Sequence, residues 1–509
     1  MSLLRRSNAR GGELPKELLV RLFGYALDDL PSTGCIATAK AIAKVSKCWR
    51  AVLYGTPSLW TKLNIEFVEE CLVGPGDSEM VEETPVDCLG RCLMLSHPRP
   101  LTISVRVIIL SDHDVLQELD GRLQKTMNML LAHSYRWKSV RIIGPDDVLS
   151  QLRHLGYQRL RSLESFTLHL VNTPERSGPP SYVLMNPAER PPFETAAFPP
   201  GLHHLEVNFH LPNLTVEWST LQSLVIGFSN AGACRQVLAQ TRNLQHLAIS
   251  HIGRSEDGVE PLVLSNLRSL TLSKCAADNI FDGLSVPALE EISLKEVDRE
   301  DTSDTSDHVA HSSNAPALRE RCNINPASMK TILARVSRIL KSSKTPITAF
   351  SLSCGLTAHP VYSYKDFVVL FPLLPDVSRL SLKFNAATDG ELLATLVDQC
   401  PPLFPSLKEL SLFVETECIP SDDFLISSPL IEELVRTRQA AGLQRFSLRR
   451  TRMYHCDDSD YDLTTRVYPS SSLAQTLLSM SKEGFEVSWT DGYGADVMEM
   501  AKEYQMHVR

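Results

Sequence analysis

The feature that most constrains this chain is a recurring triad, apolar-x-x-apolar-x-apolar. It reads Leu163/Phe166/Leu168, Leu202/Leu205/Val207, Leu221/Leu224/Ile226, Leu244/Leu247/Ile249, Leu267/Leu270/Leu272 and Leu289/Ile292/Leu294. After a gap it continues as Ile347/Phe350/Leu352, Val377/Leu380/Leu382, Leu407/Leu410/Leu412 and Leu443/Phe446/Leu448, with a weaker copy at Trp137/Val140/Ile142. The last two apolar positions alternate as in a strand with one buried face. The first turns the chain into that strand. From Leu202 the starts lie 19, 23, 23 and 22 residues apart, and later starts lie 30, 30 and 36 apart. The longer spacings leave room for a helix in each unit.

Several gaps between triads carry helix signals. Asn325 and Pro326 form an N-cap and N1 pair ahead of Met329, Ile332, Leu333, Val336, Ile339 and Leu340, an i, i+3, i+4, i+7 stripe. Asp389 precedes Leu392, Leu393, Leu396 and Val397, and Ser428-Pro429 opens a helix through Ile431, Leu434 and Val435 that Gly442 closes. A helix, a strand at Phe485/Val487/Trp489 and a last helix through Val497, Met500 and Tyr504 would cap the array. One such unit cannot cover its own apolar face, so neighbours must stack over a shared core. The competing reading is an ordinary α/β domain with leucine-rich strands. The units resemble irregular leucine-rich repeats, whose spacing of roughly 20–29 residues they match in part. They lack the Asn or Cys of that pattern after the third apolar position, apart from Cys275, which implies an irregularly curved horseshoe. Residues 171–200 hold eight prolines and little periodicity, and residues 298–316 are acidic and rich in Asp, Ser and Thr. Both read as surface insertions, the second as a disordered, solvated loop, with a phosphorylation site or docking arm as the alternative reading of the same stretch.

The first sixty residues follow a different period. Pro15 suits a first helical turn, and Leu14, Leu18 and Leu22, with Leu19, Phe23 and Ala26 beside them, fall at helical spacing. Asp28 to Gly34 reads as a turn before a second helical stretch with Ile36, Ile42, Val45 and Trp49, and the segment closes on Thr56-Pro57-Ser58-Leu59-Trp60. A module this short buries little of its surface alone, so some of these large apolar groups should stay uncovered for a partner.

Leu14-Pro15-x-Glu17-Leu18-Leu19-x-x-Leu22-Phe23, then Val45-Ser46-Lys47-Cys48-Trp49-Arg50, then Pro57-Ser58-Leu59-Trp60 resemble an F-box. The Thr-Pro-Ser-Leu-Trp ending is similar to the F-box proteins expanded in mushroom-forming fungi. The resemblance implies an α/β chain: a short all-α three-helix F-box followed by an irregular leucine-rich-repeat solenoid of strand–turn–helix units. Residues 1–12 would be a tail, 13–65 the F-box, 66–99 a linker and 100–509 the solenoid. A helix around Asp87–Ser96, a strand from Leu101 and a helix around Leu116–His133 would lead into the array. F-boxes dock on the Skp-type adaptor of Skp/cullin/F-box (SCF) ubiquitin ligases, and thereby join a cullin–RING ligase. Carried over, Leu14, Pro15, Leu18, Leu19, Leu22, Val45, Trp49 and Trp60 would contact the adaptor. For Phe23 and Trp49, packing inside the module is an equal alternative.

The remaining sequence supplies no chemistry of its own. There is no Walker loop, GxSxG, HExxH or GxGxxG motif. His203-His204 diverge on a strand, and the acid-rich Tyr454–Asp462 stretch has Leu463 where a calcium loop needs glycine. Cys88 and Cys92 share a helical face without a second ligand pair, so neither a metal nor a cofactor is expected. The target surface is expected on the outward strand face, where small residues alternate with the core positions and charges of both signs flank them. Ser293, Ser351, Arg379, Ser381, Lys408, Ser411 and Arg445 are the residues assigned there. Mixed charge argues for a protein target over nucleic acid. A non-catalytic receptor subunit of a ubiquitin ligase is the leading reading. A leucine-rich scaffold without a ligase role is the rival, and a hydrolase hidden in the array is the third.

Composition excludes the remaining classes. Apolar residues are 43% and charged residues 22% of 509, which excludes global disorder, and the net charge of −9 argues against a polyanion-binding surface over the whole chain. The longest apolar run, Phe367–Leu374, is broken by Pro372 and is too short for a membrane span. Arg5 and Arg6 are followed by no apolar signal core. Twelve scattered cysteines without a CxxC motif suit a reducing compartment, cytoplasm or nucleus.

Overall fold

The computed structural model describes residues 14–28, 30–68, 85–108, 113–144, 152, 159–170, 198–208, 214, 216–227, 229–250, 252–253, 261–273, 281, 283–295, 326–353, 369–385, 390–398, 403–416, 423–452, 472–490 and 496–508. The expected insertion at 298–316, most of that at 171–200 and the acidic stretch 454–462 lie outside them. The fold is mixed α/β, in two compact units, Met1–Leu221 and Gln222–Arg509.

The first unit opens with three helices, α1 (Lys16–Leu27), α2 (Ser32–Val45) and α3 (Lys47–Tyr54), and a 3-10 turn at Pro57–Trp60. The turn between α1 and α2 is shorter than the sequence implied. Pro31 holds the extended backbone that precedes a helix, so α2 starts at Ser32 and takes in Gly34. Ser46 then divides α2 from α3 by accepting the Trp49 backbone N–H at 3.1 Å, so Trp49 lies on α3.

Five parallel strands follow in chain order: β1 (Lys62–Val68), β2 (Leu101–Ile108), β3 (Trp137–Gly144), β4 (Ser165–Leu170) and β5 (His204–Val207). Helix α4 (Pro85–Leu95) separates β1 from β2, and α5 (His113–Ala132) separates β2 from β3. The sheet therefore begins at Lys62, inside the module expected to end at 65, and not at residue 100. The expected linker 66–99 contributes α4, which buries Cys88, Leu89, Cys92 and Leu93 and packs on α2. Buried Arg136 fixes the end of α4, donating from Nε to the Arg99 carbonyl (2.8 Å) and from its terminal nitrogens to the Leu93 carbonyl (3.2 Å) and Ser96 Oγ (2.7 Å).

The second unit has nine parallel strands, again neighbours in chain order: β6 (Ser223–Ile226), β7 (His246–Ile249), β8 (Ser269–Ser273), β9 (Glu291–Lys295), β10 (Ala349–Ser353), β11 (Arg379–Asn385), β12 (Glu409–Thr416), β13 (Arg445–Arg452) and β14 (Glu486–Thr490). Every complete triad of this unit buries all three apolar positions. Burial alternates along the strands, which turns the residue between the last two apolar positions outward. Backbone hydrogen bonds pin this register. From the triad of Leu267 to that of Leu407, the carbonyl two residues before the second apolar position accepts two successive N–H groups of the next unit. Arg268 serves Glu290 and Glu291 at 2.8 and 2.9 Å, Glu290 serves Thr348 and Ala349, and Thr348 serves Ser378 and Arg379. Ser378 serves Lys408 and Glu409, and Lys408 serves Gln444 and Arg445.

Helices fill the longer connections: α6 (Ala231–Gln240), α7 (Pro326–Ser342), α8 (Gly390–Asp398), α9 (Asp423–Ala440), α10 (Ser472–Lys482) and α11 (Val497–Val508). Helix α9 starts at Asp423, not at Ser428, and carries Pro429 inside it, where the proline nitrogen has no N–H to donate. Buried Arg438 on α9 donates to the carbonyls of Leu396 (2.8 Å) and Leu403, tying α9 to α8. Gly442 ends α9 at φ 109°, and the next amide, of Leu443, reaches back to the Arg438 carbonyl at 2.9 Å. An added Cβ would meet nothing within 4 Å, so Gly442→Ala tests backbone strain alone. It is expected to lower stability by about 1 kcal/mol in urea unfolding.

Candidate protein-interaction surfaces

Helix α1 presents two faces with opposite fates. Leu19, Phe23 and Leu27 are buried, whereas Leu14, Leu18 and Leu22 are 46%, 48% and 45% exposed. The 100° step per residue separates these sets within the helix: 18 and 22 lie on one stripe and 19, 23 and 27 on the next, with Leu14 just ahead of the first turn. Tyr25 is exposed on the same helix, Val45 at the end of α2 is 60% exposed, and Pro15 is exposed as well. Trp49 is partly exposed, with its ring edge-on to Phe23 at 5.2 Å.

Two residues assigned to adaptor contact belong instead to the core of this unit. Leu19 is sealed, and Trp60 is 1% exposed. The Trp60 ring stacks on Tyr54 at 5.9 Å and 4°, and its Nε1 donates to the Leu53 carbonyl at 3.0 Å. The physical reason is the 3-10 turn at Pro57–Trp60, which folds the indole back under α3 with its one polar atom satisfied. Leu14, Pro15, Leu18, Leu22, Val45 and part of Trp49 remain as a surface.

A polar cluster lies on the outward face of β4 and β5. Thr167 donates to Glu206 Oε2 at 3.1 Å, His169 Nε2 lies 3.1 Å from Oε1, and His204 Nε2 lies 3.9 Å from Oε2. Hydrogen bonding from His169 leads the causes that hold the Glu206 carboxyl far below its usual range, followed by His204. A depressed folded pKa gives stability that is complete above the unfolded pKa of about 4.5 and is lost as pH falls below it. Glu206→Gln is therefore expected to cost about 1–2 kcal/mol at pH 7 in urea unfolding, with the deficit shrinking below about pH 4.5. An unchanged difference across that window would remove the carboxylate from the account. The sequence reading placed His204 on a strand and missed Glu206 and His169; the signal was alternation on two adjacent strands, Thr167-x-His169 beside His204-x-Glu206.

The outward face of the second unit brings most of the assigned target residues together. The register pairs Ser293 with Ser351, Ser351 with Ser381, Ser381 with Ser411, Ser411 with Ser447 and Ser447 with Ser488, a continuous serine row. The row two residues earlier runs Glu291, Ala349, Arg379, Glu409, Arg445, Glu486. Arg379 pairs with Glu291 across Ala349, and Arg445 pairs with Glu409 (3.1 Å) and Glu486 (2.9 Å). Ser293, Ser351, Arg379, Ser381 and Ser411 line a recess of about 260 Å³ on this face. Lys408 stands apart: it precedes β12, it is exposed, and it does not line the recess, because the period of two sets it out of step with Glu409 and Ser411. The row two residues later, Lys295, Ser353, Lys383, Phe413, Arg449, Thr490, was missed.

The cysteine reading gains a member. Cys35 of α2 meets Cys92 of α4, and the hydrogen bond between these thiols, with burial, holds Cys92 protonated above the usual thiol range. Burial pushes the Cys234 thiol up to about 12. No group of three or more His, Cys, Asp or Glu among the described residues could hold a metal ion, and no helix among them is long and apolar enough to cross a membrane. No protein-family model matches the chain, and no curated protein matches it.

Proposed function

We propose that the chain is the substrate-recognition subunit of an SCF-type ubiquitin ligase acting in the cytoplasm or nucleus. In this reading residues 14–60 are an F-box that docks on a Skp-type adaptor, and the strand units are a leucine-rich-repeat solenoid that holds the target protein. The observation that carries it is the exposed apolar pair Leu18 and Leu22 on α1, with Leu14 just ahead of the helix and Val45 exposed at the end of α2, left uncovered by a chain that buries the adjoining Leu19 and Phe23. Exposed apolar side chains at i and i+4, as Leu18 and Leu22 are, belong to the spacing that helix-in-groove recognition uses, and with Leu14 they coincide with the F-box pattern.

The mechanism is tethering. Holding a target beside a cullin-bound conjugating enzyme raises the effective concentration of its lysines, so the chain supplies binding energy and no reacting group. The test is co-purification of the full chain with a Skp-type adaptor, with Leu14→Asp/Leu18→Asp as the comparison. Capture that the double variant loses supports the reading. No capture, or capture that the variant leaves intact, overturns it and leaves the leucine-rich scaffold as the better account.

A further inference from the structure

Thiols gather where the three-helix module meets the first strands. Helix α2 turns a face of mostly small side chains inward: Ser32, Cys35, Ala39 and Ala43, with Ile36 beside them. Small residues at a contact let two helices approach closely. Helix α4 packs on α2 and buries Cys88, Leu89, Cys92 and Leu93. The tethering mechanism uses none of these cysteines, and their geometry sorts them. Cys88 and Cys92 are one turn apart on α4, where Cβ atoms stand about 5–6 Å apart. A disulfide needs about 3.8 Å between its Cβ atoms, so this pair cannot close without unwinding the helix. Cys35 and Cys92 instead face each other across the helix interface, within hydrogen-bond contact. The Cys92 S–H donates to Cys35, so Cys92 keeps its proton, and Cys35 gives its own up more readily, against the opposing effect of burial. The thiolate is the reactive form, and Cys35 is also the less enclosed of the two, 7% exposed against 2%.

We infer that Cys35 and Cys92 are a modification site, closing to a reversible disulfide between α2 and α4 when the chain meets hydrogen peroxide. Both thiols are enclosed, which selects a small, uncharged oxidant. The Cys35 sulfur attacks the O–O bond and takes one oxygen as a sulfenic acid, and the Cys35 proton leaves with the departing hydroxide as water. The Cys92 sulfur then attacks the Cys35 sulfur. The S–S bond forms, the S–O bond breaks, and the Cys92 proton leaves with that hydroxide as a second water. Two thiols are oxidised by two electrons in all, and one peroxide is reduced to two waters. In a reducing compartment the resting form is the dithiol, and a thiol reductant restores it. The closed loop holds α3, the 3-10 turn with Trp60 and β1, so the bond restrains the unfolded state of the module and of the first strand together.

The experiment treats the folded full chain with a slight excess of hydrogen peroxide in native buffer, removes the excess with catalase, and blocks the remaining thiols with iodoacetamide in urea. Peptide mass spectrometry then locates each cysteine. The expected product is a Cys35–Cys92 cross-linked peptide, two hydrogens lighter than its parts and lost on treatment with dithiothreitol. The linked chain should unfold at a higher urea midpoint than the reduced chain, a gain that dithiothreitol reverses. Cys92→Ala, its fold verified by circular dichroism and treated identically, should show no gain, whereas Cys88→Ala should still form the link. Recovery of both thiols in alkylated form, or a link that forms only when peroxide is added in urea, shows that burial seals the pair and overturns the inference. Cys35 found as a sulfinic acid, or joined to any other cysteine, overturns it as well. So does a link that leaves the midpoint unchanged or lowers it, because the bond then forms only by distorting the helices. Adaptor capture enters none of these outcomes, so this site stands or falls apart from the ligase reading.

Discussion

Leu14→Asp/Leu18→Asp is expected to abolish capture of a Skp-type adaptor while leaving the unfolding midpoint of the chain nearly unchanged. Both side chains are close to half exposed, so aspartate at either site meets water in the free protein and costs folding little. In a complex the same positions would be buried. Removing a leucine from an apolar contact costs about 1.5–3 kcal/mol, and a carboxylate forced into that contact adds a desolvation cost. Two such changes lower affinity by at least about 100-fold, at 1.4 kcal/mol per decade. The measurement is adaptor affinity by calorimetry beside a urea titration of the free chain. A variant that unfolds would show that these leucines stabilise the chain itself, and the surface reading would be wrong.

Trp60→Ala is expected to do the opposite. Its indole is enclosed, stacked on Tyr54 and hydrogen-bonded through Nε1 to the Leu53 carbonyl, so truncation opens a large cavity and leaves that carbonyl without its partner. Deleting a buried aromatic costs about 3–5 kcal/mol. A loss of that size, read as a fall in urea midpoint at unchanged slope, should appear whether or not the adaptor is present. A loss under about 1 kcal/mol would return Trp60 to the surface, where the motif alone had placed it.

The contrast between these residues shows where the sequence was legible. The triads predicted strands and their buried positions well, because each apolar residue at a period of two has only one face to enter. The helical spacing of α1 likewise separated 14, 18 and 22 from 19 and 23. Trp60 was misplaced because a motif records which residues recur and not which way a 3-10 turn folds them. The start of α2 was missed because Gly34 reads as a breaker, whereas Pro31 governs the local backbone. The basic row escaped because Lys295, Lys383 and Arg449 are far apart in sequence and become neighbours only through the register. Lys408 falls outside the recess because it precedes β12, where the outward alternation begins with Glu409.

The shared carbonyl at each step of the second unit has an evolutionary corollary. Triad starts there are separated by as few as 22 and as many as 58 residues, from Leu289 to Ile347, yet the pairing on either side keeps the same alignment. Segments can therefore be gained or lost between units without shifting the ladder of side chains in front. Ligand preference and connection length become two independently adjustable properties, and a lineage of such chains can diversify by changing one outward residue at a time while the framework stays put.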